Sequence, residues 1–239
     1  MSKLQRIDKI LSNMGYGSRK NIKKIMKKGR VTINGDIVKD SSKKIDPYYN
    51  KIEIDGILIE YREYIYLMMN KPDGVVSSTD DPINNTVIDL IDDKYKIFEP
   101  FPIGRLDKDT EGLLILSNDG KLAHNLLSPK KHVKKTYYVE VEGRVDSGDI
   151  EKFNDGVILE DGYKTMAAEM DIIENDDISK VYLTIKEGKF HQVKRMFVAI
   201  GKKVLYLKRV SMGNIELDKS LETGEYRELK EEEINLLIE

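Results

Sequence analysis

Gly104-Arg-Leu-Asp-Lys-Asp-Thr-Glu-Gly112, running into Leu113-Leu-Ile-Leu116, is the densest polar cluster of the 239-residue chain. Three acids, Asp107, Asp109 and Glu111, stand beside Arg105 and Lys108. The four apolar residues after them have the length and composition of a buried strand, so the cluster reads as a polar turn that delivers the chain into a sheet. The preceding Phe101-Pro-Ile-Gly-Arg105 also reads as a turn. Further strand signals recur at 65–69, 75–77, 137–141, 180–185 and 204–207, and helical patterns at 119–127, 147–154, 191–200 and 230–238. Strands often follow strands, without regular alternation with helices. That predicts an α+β fold built on a mixed, largely antiparallel sheet. No internal repeat of about 20–50 residues is present.

Composition narrows the chemistry. There is no Cys, which excludes disulfides, thiol nucleophiles and Cys-ligated metal sites. Three histidines, His124, His132 and His191, lie far apart in sequence, so no His-rich metal site is expected. The start lacks the apolar core of a signal peptide, and no apolar run is long enough to span a bilayer, so the expected compartment is the cytoplasm. The formal net charge is −2. That near-neutrality hides an asymmetry. Residues 1–51 hold 14 Lys/Arg against 4 Asp/Glu, and residues 52–239 hold 26 against 38. A basic head on an acidic body points to a polyanion or a membrane at the N-terminus.

The head is legible in detail. Leu4, Ile7, Leu11 and Met14 recur at helical spacing, and Gly15 and Gly17 end that helix. Ser18 is placed to cap a second helix, in which Arg19, Lys23, Lys27 and Lys20, Lys24, Lys28 form two rows at i, i+4. Ile22, Ile25 and Met26 fall on the opposite half. From Lys9 to Val31 there is no acid to pair with these cations, and like charges at this spacing cost stability. A solvated charged face is the alternative reading, and the lack of acidic partners favours an RNA or membrane contact over it. Few apolar residues remain there for membrane insertion, so phosphate binding is favoured. Val31-Thr-Ile33, Asn34-Gly35 and Asp36-Ile-Val38 read as a hairpin, and Ile52-Glu-Ile54 as a further strand, with residues 56–63 as a linker. This segment resembles the small RNA-binding domain named after ribosomal protein S-four, on the strength of the paired short helices, the basic second helix and GRVTINGDIV. The resemblance implies structured RNA as partner. The body carries two acid-free basic stretches, 121–138 and 189–214, which would line one positive cleft.

Four readings compete for the 104–112 cluster. D-x-D-x-E-G imitates a calcium loop, but position 12 is Asn118 and not a bidentate Glu. Asp107-Lys-Asp109-Thr110 fits the D-x-D-x-T of haloacid-dehalogenase-type, magnesium-dependent phosphohydrolases, but no apolar strand pattern precedes it. A merely solvated polar turn is the third. The fourth explains the most residues. Gly104-Arg105-Leu106-Asp107-Lys108-Asp109-Thr110-Glu111-Gly112-Leu113-Leu114 is similar to the G-R-L-D-x-D-T-x-G-L-L motif of pseudouridine synthases. Lys71-Pro-Asp-Gly74, Lys135-Thr-Tyr137, Glu187-Gly-Lys-Phe-His-Gln-Val-Lys-Arg-Met196 and Gly224-Glu-Tyr-Arg-Glu-Leu229 match further elements in the right order. Within the superfamily the chain resembles the RsuA branch, on His191-Gln-Val-Lys-Arg-Met-Phe197 and Ser77-Ser-Thr-Asp-Asp-Pro82. Sister branches acting on large-subunit RNA carry a different third motif.

That resemblance implies a 1–57 RNA-binding domain, a 58–63 linker and a 64–239 catalytic domain. It implies isomerisation of the uridine numbered 516 in small-subunit (16S) ribosomal RNA, either free or in an assembling subunit, by a monomer without cofactor. Asp107 would be the essential carboxylate. Lys194 stands where the family places a basic residue, mostly Arg, against it. Lys gives one point contact there instead of a bidentate pair. Tyr137 matches the tyrosine that stacks on the uracil. Arg105 would brace the space left by a flipped uridine, or else pair with Asp109 or Glu111. Arg195 joins Arg19, Lys20, Lys23, Lys24, Lys27 and Lys28 as an RNA contact. His191 and Gln192 are read as holding the third motif together. The rival readings are a large-subunit RNA synthase, a non-catalytic assembly factor with the same fold, and the phosphohydrolase.

Overall fold

In the computed structural model, residues 4–238 are described, and they fall into two compact units. The first comprises the chain up to Ile65 together with Asp92–Glu99. It contains β1 (Gln5–Arg6), α1 (Ile7–Asn13), α2 (Arg19–Lys27), β2 (Val31–Ile33), β3 (Asp36–Ile37), β4 (Lys44–Ile45), β5 (Ile52–Ile54), β6 (Ile57–Leu58) and the one-turn α3 (Asp93–Lys96). Ser18 caps α2 as expected, its Oγ accepting from the Asn21 N–H at 3.3 Å. Asn34 and Gly35 both take positive φ, 54° and 89°, which is the two-residue turn that joins β2 to β3. Ile7, Ile10, Leu11, Ile22 and Met26 pack with Val31, Ile33, Ile52 and Ile54 in one core. Every cation of α2 faces away from it and is exposed.

Two expectations about this unit need correction. Leu4 does not extend the buried face of α1. It is 60% exposed, because the chain enters through β1, which pairs with β4, before the helix begins. The stretch 56–63 is not a free linker either. β6 pairs with β5, and Ile59 is buried with Tyr61 packed against the same core.

The second unit runs through Tyr66–Ile91 and on from Pro100. Its strands are β7 (Tyr66–Lys71), β8 (Phe101–Ile103), β9 (Glu111–Ser117), β10 (Lys135–Glu142), β11 (Glu169–Glu174), β12 (Ile178–Ile185), β13 (Lys203–Met212), β14 (Ile215–Glu216) and β15 (Tyr226–Glu228). They form one sheet in the order β11-β12-β10-β13-β9-β7-β15, with β14 on β13 and β8 on β9. Every pairing is antiparallel except β13 with β9. The fold is therefore the mixed, largely antiparallel α+β architecture that the sequence implies. Leu113 to Leu116 in β9 are all fully buried, as in a strand covered on both faces. Around the sheet lie α4 (Gly120–Leu127), α5 (Ser147–Asp155), α6 (Gln192–Ala199) and α7 (Glu231–Ile238). Among the described residues no helix is long and apolar enough to cross a membrane.

Phe101–Ile103 forms β8, not a turn, and pairs with the second half of β9. The 75–77 stretch is not a strand. It makes a single bridge, Val76 to Thr86. The lone parallel junction depends on Gly112, which sits at φ 102° opposite Arg209. A Cβ there would stand 2.2 Å from the Arg209 carbonyl oxygen.

Candidate active site

The 104–112 cluster links β8 to β9, and the structure holds its backbone from several sides. Gly104 turns the chain out of β8 at φ 80°. Leu106 is buried, and the Ser77 hydroxyl both accepts from its N–H (3.1 Å) and donates to its carbonyl (3.0 Å). The Thr110 N–H closes a turn on the Asp107 carbonyl at 3.1 Å. Beneath the turn lies Lys71, fully buried at the end of β7. Its ammonium donates to the carbonyls of Pro72, Lys108 and Thr110 at 2.9, 3.2 and 3.0 Å. Burial pushes the Lys71 pKa down to about 8, against the opposing pull of Asp73, Asp109, Glu111 and Asp107. The Arg209 Nε, also buried, donates to the Leu113 carbonyl at 2.8 Å. Two buried cations therefore grip the main chain, Lys71 between the acids and Arg209 just beyond them.

With its backbone fixed, Asp107 presents a side chain that is 27% exposed. Two groups from the start of α6 approach it. The Lys194 Nζ is 3.7 Å from one carboxylate oxygen and the His191 Nε2 is 3.7 Å from the other. His191 and Lys194 are three residues apart, so the first turn of α6 aims both at one point. Lys194 makes its short bond, 2.5 Å, to Asp109. That hydrogen bond holds the Asp109 carboxyl below the usual range. The expected point contact of Lys194 with Asp107 is therefore shared with Asp109, and the shorter half goes to Asp109.

The third motif is braced by hydrogen bonds within itself and to the 163–166 segment. Gln192 is buried, its amide donates to Glu187 at 2.6 Å, and its oxygen accepts from the Lys189 N–H at 2.8 Å. Glu187 also accepts from the Tyr163 hydroxyl at 2.6 Å and the Met166 N–H at 2.9 Å. Gln192 thus does what the sequence suggests. His191 does more, because its ring reaches the Asp107 carboxylate.

The other site residues divide. Tyr137 is buried in β10, where the register places it beside Leu183 on one flank and Arg209 on the other. Arg209 also pairs with Gly112, so Tyr137 lies in the same cross-strand row as the end of the acidic turn. Lys135, two residues earlier, donates to the Val133 carbonyl at 2.9 Å, and burial lowers its pKa to about 8. Arg105 is exposed and bonds no described residue. Its alternative partners are taken, since Glu111 accepts from the Tyr206 hydroxyl at 2.6 Å and Asp109 from Lys194. Arg19, Lys20, Lys23, Lys24, Lys27 and Lys28 are likewise exposed and make no ion pair with a described residue.

Arg195, expected to meet RNA, is ion-paired on the surface: its guanidinium binds Glu160 at 3.0 Å and Asp161 at 2.5 Å. Within the two acid-free stretches of the body, Lys134 pairs with Glu169, Lys202 with Asp149, and Arg209 is buried. Acids distant in sequence close on Lys134 and Lys202, and the remaining lysines of the stretches carry the rest of the positive charge. No group of three or more His, Asp or Glu side chains among the described residues is arranged to hold a metal.

Comparison with known proteins bears on this geometry. The RNA pseudouridylate synthase family profile matches residues 65–199, and the S4 domain profile matches residues 5–47. A Bacillus subtilis protein described as an uncharacterized RNA pseudouridine synthase is 54% identical over 98% of both chains. The ribosomal small subunit pseudouridine synthase A of Vibrio vulnificus is 42% identical over 96% of this chain and 98% of its own. A crystal structure described as a pseudouridylate synthase superposes with a TM-score of 0.69 at 38% identity, covering 97% of this chain and 99% of the other.

Proposed function

The chain belongs to the RNA pseudouridylate synthase family and carries an S4 domain at its N-terminus, and on that premise we propose that it converts one uridine of small-subunit (16S) ribosomal RNA, the one numbered 516, to pseudouridine with Asp107 as the essential carboxylate. The choice of RNA rests on the likeness to the small-subunit enzyme of Vibrio vulnificus over nearly the whole of both chains. The choice of residue rests on one observation. Asp107 is the acid of the turn whose carboxylate stays partly open while two basic groups approach it at 3.7 Å.

The reaction breaks the N1–C1′ bond of uridine and joins C5 to C1′. The proton on C5 leaves and N1 gains one, so atoms and electrons balance without a co-reactant. A carboxylate serves this exchange by adding to C6 of the base or by attacking C1′ of the sugar. Either role needs an oxygen with an exposed face and a fixed direction, which the Lys71 and Ser77 contacts to the turn supply. Lys194 and His191 supply positive or hydrogen-bonding character beside the carboxylate. Tyr137 stacks on the uracil, Arg105 braces the duplex after the base leaves it, and the α2 lysines hold phosphates.

Asp107→Asn removes the nucleophilic oxygen and keeps the shape. Tritium release from small-subunit RNA labelled with [5-³H]uridine should vanish in this variant while RNA retention on filters stays near that of the parent. Normal release by Asp107→Asn overturns the assignment. No release by the parent protein from any ribosomal RNA would favour the non-catalytic assembly role.

A further inference from the structure

Phe190 is out of place for an apolar side chain. Its ring is 76% exposed, beside a charged site, and it belongs to no core. It is not alone, however. It stacks on the His191 imidazole with ring centroids 3.7 Å apart and planes 19° from parallel. The same imidazole lies 3.7 Å from the Asp107 carboxylate. The carboxylate and the phenyl ring therefore border the same imidazole, which places Phe190 next to the candidate catalytic group.

The pair is held in place. His191 takes a left-handed backbone conformation, φ 49°, which a non-glycine residue keeps only when its surroundings hold it there. The Arg195 N–H donates to the His191 carbonyl at 3.0 Å, and the Arg195 guanidinium is anchored in turn by Glu160 and Asp161. On the other side the Gln192 amide pins Glu187 and Lys189. An aromatic surface fixed this way loses little freedom when something lies on it.

We propose that Phe190, backed by His191, is a stacking platform for one unpaired nucleobase of the RNA next to the uridine being isomerised. The proposal rests on the reading of Asp107 as the catalytic group of an RNA synthase. Extruding a uridine toward Asp107 unstacks its neighbours, and they need a new surface. Every base presents a π-face, so a phenyl ring holds the strand without reading its sequence. One face of Phe190 is taken by His191, so the subsite accepts a single base. Losing such a stack weakens RNA binding about 10- to 100-fold.

The chain has no Trp, so Phe190→Trp installs a lone indole reporter. The Phe190→Trp and Ile173→Trp variants, each made with Asp107→Asn to prevent turnover, are titrated with deproteinised small-subunit and large-subunit ribosomal RNA. Filter retention measures binding in parallel. Bound RNA should quench the indole at 190 and leave the one at 173, on exposed β11, unchanged. With Asp107 restored, Phe190→Leu should raise KM about tenfold or more with a smaller change in kcat, and Phe190→Tyr should restore it. RNA bound without quenching at 190, or a Phe190→Leu variant with the parent KM, overturns the platform alone. If neither RNA is retained by any variant, the functional reading fails and takes the platform with it.

Discussion

Lys71→Met tests whether a buried ammonium organises the acidic turn. The side chain is fully buried and donates to three carbonyls, two of them in the turn itself. Methionine fills similar space but leaves those acceptors without a donor. Each unsatisfied buried carbonyl costs about 1–3 kcal/mol. Relief from burying a charge offsets part of that, so the net loss should be about 2–4 kcal/mol. A pH signature separates this from simple misfit. Burial lowers the Lys71 pKa from 10.5 to about 8. The unfolded chain therefore holds this proton more tightly than the folded one. Stability gained from Lys71 should rise with pH between about 8 and 10.5, where only the unfolded state keeps the proton. From pH 7 to 9.5 that rise is about 2 kcal/mol before solvent screening and about half that after it. Urea unfolding of the parent and Lys71→Met at both pH values gives the comparison, and Lys135 cancels because both proteins carry it. The variant should also lose kcat more than affinity for RNA, since the α2 lysines are untouched. An equal stability difference at both pH values would refute the buried-ammonium reasoning. Parental kcat in Lys71→Met would refute the positioning role.

Other consequences are simpler to state. Gly112→Ala forces a Cβ to within 2.2 Å of the Arg209 carbonyl at φ 102°. The backbone strain alone costs about 1–3 kcal/mol, so thermal unfolding should show a clear fall in Tm, and an unchanged Tm would contradict the packing of β9 on β13. Replacing Lys20, Lys24 and Lys27 together by Gln should weaken RNA binding and flatten its dependence on log salt by roughly 2–3 units. An unaltered slope in filter binding would mean that α2 does not touch phosphates. Lys194→Met removes the hydrogen bond that lowers the Asp109 pKa. Because that stability exists only while Asp109 is ionised, the difference between parent and variant should be below about 1 kcal/mol at neutral pH and fade as pH falls past about 4. A difference that persists at pH 2 would contradict the pair.

Local chemistry was the legible part of this chain. Ser18 as a helix cap, Asn34-Gly35 as a hairpin turn and the α2 stripe all depend on near neighbours, and each is found where its pattern puts it. The apolar run at 113–116 announces a buried strand and delivers one. Elements whose existence depends on distant partners were hidden. β8 contains Pro102 and forms because β9 offers it an edge. β11 and β15 are edge strands whose apolar residues are too few, over six and three positions, to announce a strand. Charge pairing was equally invisible, since Arg195 is 35 and 34 residues from the acids that bind it. Lys71 defeated the rule that lysines lie outside. Its signals are its place at the end of the apolar strand Tyr66–Lys71 and its position in Lys71-Pro-Asp-Gly74, neither of which says that the ammonium is buried. His191 looked like scaffolding because sequence cannot show which way a left-handed residue at the head of a helix aims its ring.

The central claim is that this protein makes a pseudouridine in small-subunit ribosomal RNA through Asp107. Carbodiimide-based pseudouridine mapping of both ribosomal RNAs, with and without the gene, tests it directly. One modification, in the small-subunit RNA, should disappear with the gene, return with the parent sequence and stay absent with Asp107→Asn. A map unchanged by loss of the gene, a lost site in the large-subunit RNA instead, or full restoration by Asp107→Asn would contradict it.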